Sequence, residues 1–242
     1  SRQTGINPFV LDEPKLGAEE IFILSKRNSI TKRATEAFLD YRLNEVPWIV
    51  EELFIELSRG YVQMVREKSV FGTETEKKAI IYSVCDVLMT SLKLFSPISP
   101  FITEKIYQNL RKEFELEEES IHISDWPSYD AKKINNKLEE EMVIVNSILQ
   151  AVFSARDRIR VGVRWPLAEI AVVSASREVA DAVADLENIL KAQANVKMVS
   201  VRASFKSKPE DYERMEFKGG EICLYTKITP ELEAEGFARE LS

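Results

Sequence analysis

The apolar residues of this chain change their period at Pro166, and that change limits the folds open to it. Before it they recur at spacings of three and four, the signature of helix stripes. Ile23, Ile30, Ala34, Ala37 and Tyr41 mark a helix over about 18–41, interrupted by Arg27. Val46, Val50, Leu53, Leu57, Tyr61 and Met64 mark a second over about 44–69. Pro47 fits its first turn, where no amide partner is lost. Thr73 and Glu76 form a capping box that opens a third helix over about 75–95. That helix is apolar nearly all round, so it is expected to be the central, buried one. Ser99 caps a fourth, with Pro100 at its first position, running through Leu110. Leu138, Met142, Val145, Leu149 and Val152 stripe a fifth over about 132–158. Between the fourth and fifth, "IHISDWPSYD" has no period and reads as a strap laid against the bundle.

Past Pro166 the runs are short and continuous. "LAEIAVVS" is a buried strand and "REVADAVADLENILKAQAN" a helix behind the cap Ser176. "VKMVSV" and "GEICLYTK" are strands, "KSKPEDYERMEFKGG" is a loop, and "TPELEAEGFAREL" opens a last helix behind Thr229 and Pro230. Gly236, one turn inside that helix, weakens it and allows close packing. The fold class is α+β: a bundle of about five helices followed by a small α+β domain. The expected boundaries are an extended lead-in over 1–17, the helical domain over 18–160 and the α+β domain over 161–242.

Composition removes much chemistry. A single histidine, His122, makes a zinc site of the usual ligand set untenable. Cys85 and Cys223 lie far apart, which fits a reducing compartment. No apolar run approaches the roughly 20 residues that span a bilayer, so no membrane partner is expected. There is no Gly-rich phosphate loop, no Gly-x-Ser-x-Gly and no His-Glu-x-x-His, hence no self-sufficient active site.

The formal net charge is −7 and argues against bulk attraction to nucleic acid, so a basic footprint must be local. "RDRIRVGVRWPL" (156–167) supplies one. Arg156, Arg158, Arg160 and Arg164 with Asp157 give a local charge of +3. Guanidinium forks suit phosphate, but such a cluster also pairs with acids elsewhere in a chain. Trp165 either stacks on a base or ribose or plugs a seam between domains. In "SRGYVQMVREK", Arg59, Gln63 and Arg66 share one helical side beside Tyr61. This is either a charged outer face or an aromatic-plus-arginine surface for unstacked bases.

Five ordered blocks, "LSRGYVQMVRE", "LFSPISPFITEKIYQNL", "SIHISDWP", "GVRWPL" and "ITPELEAEGFAREL", resemble those of class Ia aminoacyl-tRNA synthetases. The likeness runs from about residue 18 onward and is greatest to isoleucyl-tRNA synthetases of archaeal or eukaryotic type. The resemblance implies an anticodon-binding bundle and a small junction domain, with the anticodon stem-loop of isoleucine tRNA as partner. It also implies a fragment without cofactor of its own. The catalytic and editing domains of the same parent chain, with ATP and Mg, would perform aminoacylation in the cytoplasm. Arg59, Tyr61, Gln63, Arg66, Arg156, Arg160, Arg164 and Trp165 are then the candidate RNA contacts. Gly60 departs from the family, which often has tryptophan there. The rivals are the matching fragment of valyl-tRNA synthetase and a helical protein-interaction scaffold without RNA.

Overall fold

The helix starts follow their capping residues. In the computed structural model, which describes residues 7–10, 13–205 and 211–241, the Thr73 hydroxyl accepts from Glu76 N–H at 3.3 Å. Glu76 Oε2 accepts from Thr73 N–H at 2.7 Å in return. Ser176 Oγ accepts from Val179 N–H and Thr229 Oγ1 from Leu232 N–H. Ser99 occupies its cap position but its side chain makes no cap bond; its carbonyl accepts from Thr103 N–H instead. Contacts divide the chain into two units, Ser1–Asn136 and Lys137–Ser242.

The first unit contains α1 (Ala18–Leu39), α2 (Val46–Ile55), α3 (Val62–Met64), α4 (Arg66–Phe71), α5 (Glu74–Phe95) and α6 (Pro100–Phe114). α1, α2 and α5 pack on one another through Ile23, Ile30 and Ala34, Val50 and Leu53, and Ile80, Val87 and Leu94. No residue of α5 from Ala79 to Phe95 is exposed, so it is the central helix the sequence indicated. Arg27, which interrupts the stripe of α1, is held there: its Nε lies 3.2 Å from Asp86 Oδ2 and donates to Thr90 Oγ1. The strap lies on the bundle as expected, with Trp126 edge-on to Phe38 and its Nε1–H on Thr35 Oγ1 at 2.9 Å. Tyr41 is a correction. It lies beyond α1 at φ 58° and is 87% exposed.

The expected second helix is not continuous. A π-helical turn, Glu56–Tyr61, separates α2 from α3, and Val65 breaks the run before α4. Gly60 lies in this turn, where a Cβ would meet only the flexible Glu56 side chain. A glycine there weakens the α-helical preference, which eases the insertion of the extra residue.

The second unit opens with α7 (Asn136–Arg158), whose stripe Met142, Val145, Leu149 and Val152 is buried. The expected boundary at 160/161 would have put this helix in the bundle; contacts group it with the sheet. β1 (Leu167–Val173), α8 (Arg177–Asp185), α9 (Glu187–Ala194), β2 (Val196–Arg202), β3 (Tyr212–Phe217), β4 (Gly220–Tyr225) and α10 (Pro230–Leu241) follow. The sheet order is β2-β1-β4-β3. β1 and β2 are parallel, Leu167 facing Val196, and α8–α9 make the crossover that parallel strands require. β4 is antiparallel to both β1 and β3. Ile170, Ala171 and Val172 with Ile222, Cys223 and Leu224 are the fully buried centre.

β3 is a strand where the sequence reading had a loop. Its residues alternate, and Glu213, Arg214 and Glu216 guard an outer edge where polar side chains are the norm. The turn into β4 is Lys218-Gly219, with Gly219 at φ 122°, a conformation glycine adopts freely.

Candidate nucleic-acid interface

The four arginines of 156–164 have separate fates. Arg156 continues the buried stripe of α7 and is 1% exposed. No acid meets it. Nη1 donates to Gly162 O (3.1 Å) and Trp165 O (3.0 Å), and Nη2 to Ala194 O (2.7 Å) and Asn195 O (3.1 Å). Burial pushes its pKa down to about 10, which still leaves it charged at neutral pH. The phosphate role expected of Arg156 is therefore corrected: its fork is taken up by four backbone carbonyls. Arg158 Nη1 lies 3.3 Å from Glu213 Oε1. Arg160 and Arg164 are exposed and form no ion pair among the described residues.

Asn195 completes the anchoring. At φ 49° it ends α9, and its Nδ2 donates to Val163 O (2.8 Å) and Arg164 O (3.1 Å). The carbonyls of 162, 163, 164 and 165 are all held by two side chains from below. Trp165 is half-buried, edge-on to Phe237 at 5.1 Å, and lies where a Cβ on Gly236 would come within 2.5 Å of its ring. Of the two readings of Trp165, base stacking is not what this packing favours. The loop thus has a fixed backbone, while Arg160, Val163 and Arg164 remain exposed.

The end of α7 sets Arg160. Val161 N–H bonds Arg156 O at 3.0 Å and Arg160 N–H bonds Asp157 O at 3.1 Å, the pair of bonds of a Schellman cap, with Arg160 at φ 56°. Glycine is usual there. Arg160→Gly is expected to stabilise the fold by about 0.5–1 kcal/mol, measured by denaturant unfolding. A loss of stability would show that the arginine side chain supports the fold.

Arg156, Asp157, Arg160, Val161, Gly162 and Val163 also line a groove of about 390 Å³, together with Phe153.

In the first unit Arg59, Gln63 and Arg66 are exposed along the α2–α4 rod, and the exposed Trp48, Ile55 and Val62 accompany them. Tyr61 is not among them. It is fully buried, its hydroxyl donating to Glu20 Oε1 at 3.1 Å, and burial first and the Glu20 carboxylate second raise its pKa. The expected surface aromatic is a core residue, because the stripe that predicted the helix also owns position 61. Trp48 is an exposed ring that is not among the candidate contacts. Its signal was available: seven residues before Ile55, it lies on the rod's outer side.

The model of the anticodon-binding domain of tRNA ligases matches residues 20–172, from α1 into β1, and spans every candidate residue above. The chain belongs to that family. Among curated relatives, isoleucine–tRNA ligase of Thermococcus kodakarensis is 35% identical over 82% of this chain and 18% of its own length. Isoleucine–tRNA ligase of Methanothermobacter marburgensis is 36% identical over 77% of this chain and 18% of its own length. That of Archaeoglobus fulgidus is 29% identical over 95% of this chain and 28% of its own length. This anticodon-binding chain therefore spans less than a third of these relatives. Among its described residues no helix is long and apolar enough to cross a membrane.

Proposed function

We propose that this anticodon-binding chain is the tRNA-holding part of an isoleucine–tRNA ligase. Arg160 and Arg164 touch backbone phosphates of isoleucine tRNA, and Arg59, Gln63 and Arg66 meet unstacked anticodon-loop bases. One observation carries the proposal: within the family match, two exposed guanidiniums without an acid partner among the described residues project from a loop whose carbonyls are tied down. A fixed backbone lowers the entropy lost on binding. The isoleucine assignment rests on the names of the relatives above. Aminoacylation, with ATP and Mg²⁺, is assigned to the remainder of such a ligase, in the cytoplasm.

Binding of isoleucine tRNA to the 242-residue chain should fall steeply with salt. Arg164→Ala should reduce the slope of log affinity against log salt by about one, and should weaken isoleucine and valine tRNA alike. Substitution of Gln63 should hurt the isoleucine tRNA more. An Arg164→Ala protein with an unaltered slope and a lowered melting temperature would make that arginine structural. Tighter binding of valine tRNA would move the assignment to a valine–tRNA ligase, and no binding at all would leave a protein scaffold.

A further inference from the structure

The groove under the 160–163 loop has its own chemistry. Asp157 and Arg160 both line it, three residues apart, yet form no ion pair with each other. Both are exposed, and neither side chain has a partner among the described residues. The groove thus offers one carboxylate acceptor and one guanidinium donor, with the Phe153 ring as an apolar wall. Behind them Arg156 forms another wall, and its buried Nε–H is a donor with no partner. A Cβ at Gly162 would have nothing within 4 Å, so the rim is open at that point. Its volume of about 390 Å³ lies at the small end of the roughly 300–1,000 Å³ of ligand sites. That suits one ring system and its phosphate better than a stack of bases.

From this arrangement we infer that the groove takes a single unstacked nucleotide of the bound RNA, its phosphate on Arg160 and the donor edge of its base on Asp157. The inference rests on RNA binding by the chain and adds a base-selecting site in the second unit. A carboxylate accepts and cannot donate, so it rejects a base edge that presents only acceptors. Guanine fits best, because its N1–H and N2–H₂ give two parallel donors to two carboxylate oxygens. Uracil, with two carbonyls and one N–H, fits worst. The rim of the groove beyond Arg160 is tied down, because Arg156 and Asn195 hold the carbonyls of 162 to 165.

The test uses the 242-residue chain and isoleucine-tRNA transcripts in which each anticodon-loop base is replaced in turn. The variants are Asp157→Asn and Arg160→Gly; the first is an exposed position and the second removes a positive-φ side chain, so both should fold. Wild type should lose about tenfold or more at one loop position when its donor-bearing base is replaced by uracil. Asp157→Asn should flatten that one discrimination and leave the others. Arg160→Gly should weaken every transcript by a similar factor. If wild type binds tRNA and Asp157→Asn leaves the base profile unchanged, or tightens all transcripts equally, the groove does not select a base. In that case the tRNA-binding role survives without it. If wild type binds no tRNA, both proposals fall together.

Discussion

Arg156→Met is expected to lower stability by about 3 kcal/mol, the largest loss of any single arginine in the chain. Methionine keeps most of the volume and removes the desolvation cost of a buried charge, so the net effect depends on what the carbonyls lose. Gly162 O and Asn195 O each keep a backbone donor, Trp165 N–H at 3.1 Å and Leu167 N–H at 3.0 Å. The charged donor to all four carbonyls is lost, and a buried group deprived of its partner costs about 1–3 kcal/mol. Deprivation wins over the desolvation relief because the loop and the ends of α7 and α9 share this one donor. The melting temperature should drop by about 10 °C. Arg156→Lys should recover less than half, since one ammonium cannot reach two pairs of carbonyls with a planar fork. The salt slope of tRNA binding, taken per folded molecule, should not move. A methionine variant within about 0.5 kcal/mol of wild type would refute the anchoring role.

The same arginine shows where the sequence was legible and where it was not. That position 156 lies on the apolar stripe of α7 is plain from Leu138, Met142, Val145, Leu149 and Val152. Periodicity says that a residue points inward; it cannot say whether a carbonyl cluster waits there. The carbonyls belong to Ala194 and Asn195, about forty residues on, and nothing local announces them. Tyr61 follows the same rule. Its helical phase places it inside, and the acid that receives its hydroxyl comes from α1. Phase and caps, being local, located the helical stretches and three of the strands, but not the breaks at the π-helical turn and at Leu186, where α8 gives way to α9. β3 escaped because an edge strand carries charges like those of a loop. The groove was equally hidden: local charge makes Asp157 a neutralising acid among arginines, whereas in the fold it forms no ion pair with Arg160 and lines the groove beside it.

Removal of the Glu20 carboxylate is expected to have the second large effect. Glu20 is fully buried near the start of α1 and serves three donors: Tyr61 O–H on Oε1 (3.1 Å), Gly17 N–H on Oε2 (2.9 Å) and Lys68 Nζ (3.1 Å). It ties the first turn of α1 to the π-helical turn and to α4. Glu20→Ala strands a buried phenol and half the compensation of Lys68. Breaking a buried pair from one side costs about 3–5 kcal/mol. The low end applies, near 3 kcal/mol, because Lys68 keeps Glu19 at 3.3 Å. Burial lowers the pKa of Lys68, but Glu19 and Glu20 outweigh it, and the pKa is raised above 10.5. A raised lysine stabilises fully below its unfolded value and loses that contribution only as pH climbs through the folded one, so this part of the lock should hold unchanged from neutral pH to about 9. A double-mutant cycle of Glu20→Gln with Tyr61→Phe should give a coupling of about 1 kcal/mol. Arg59 sits in the π-helical turn and Gln63 just beyond it, so Glu20→Gln should also weaken isoleucine tRNA more than valine tRNA while the fold persists. Independent effects in the cycle, or a Glu20→Ala cost below about 1 kcal/mol, would mean that packing and not this carboxylate holds the turn.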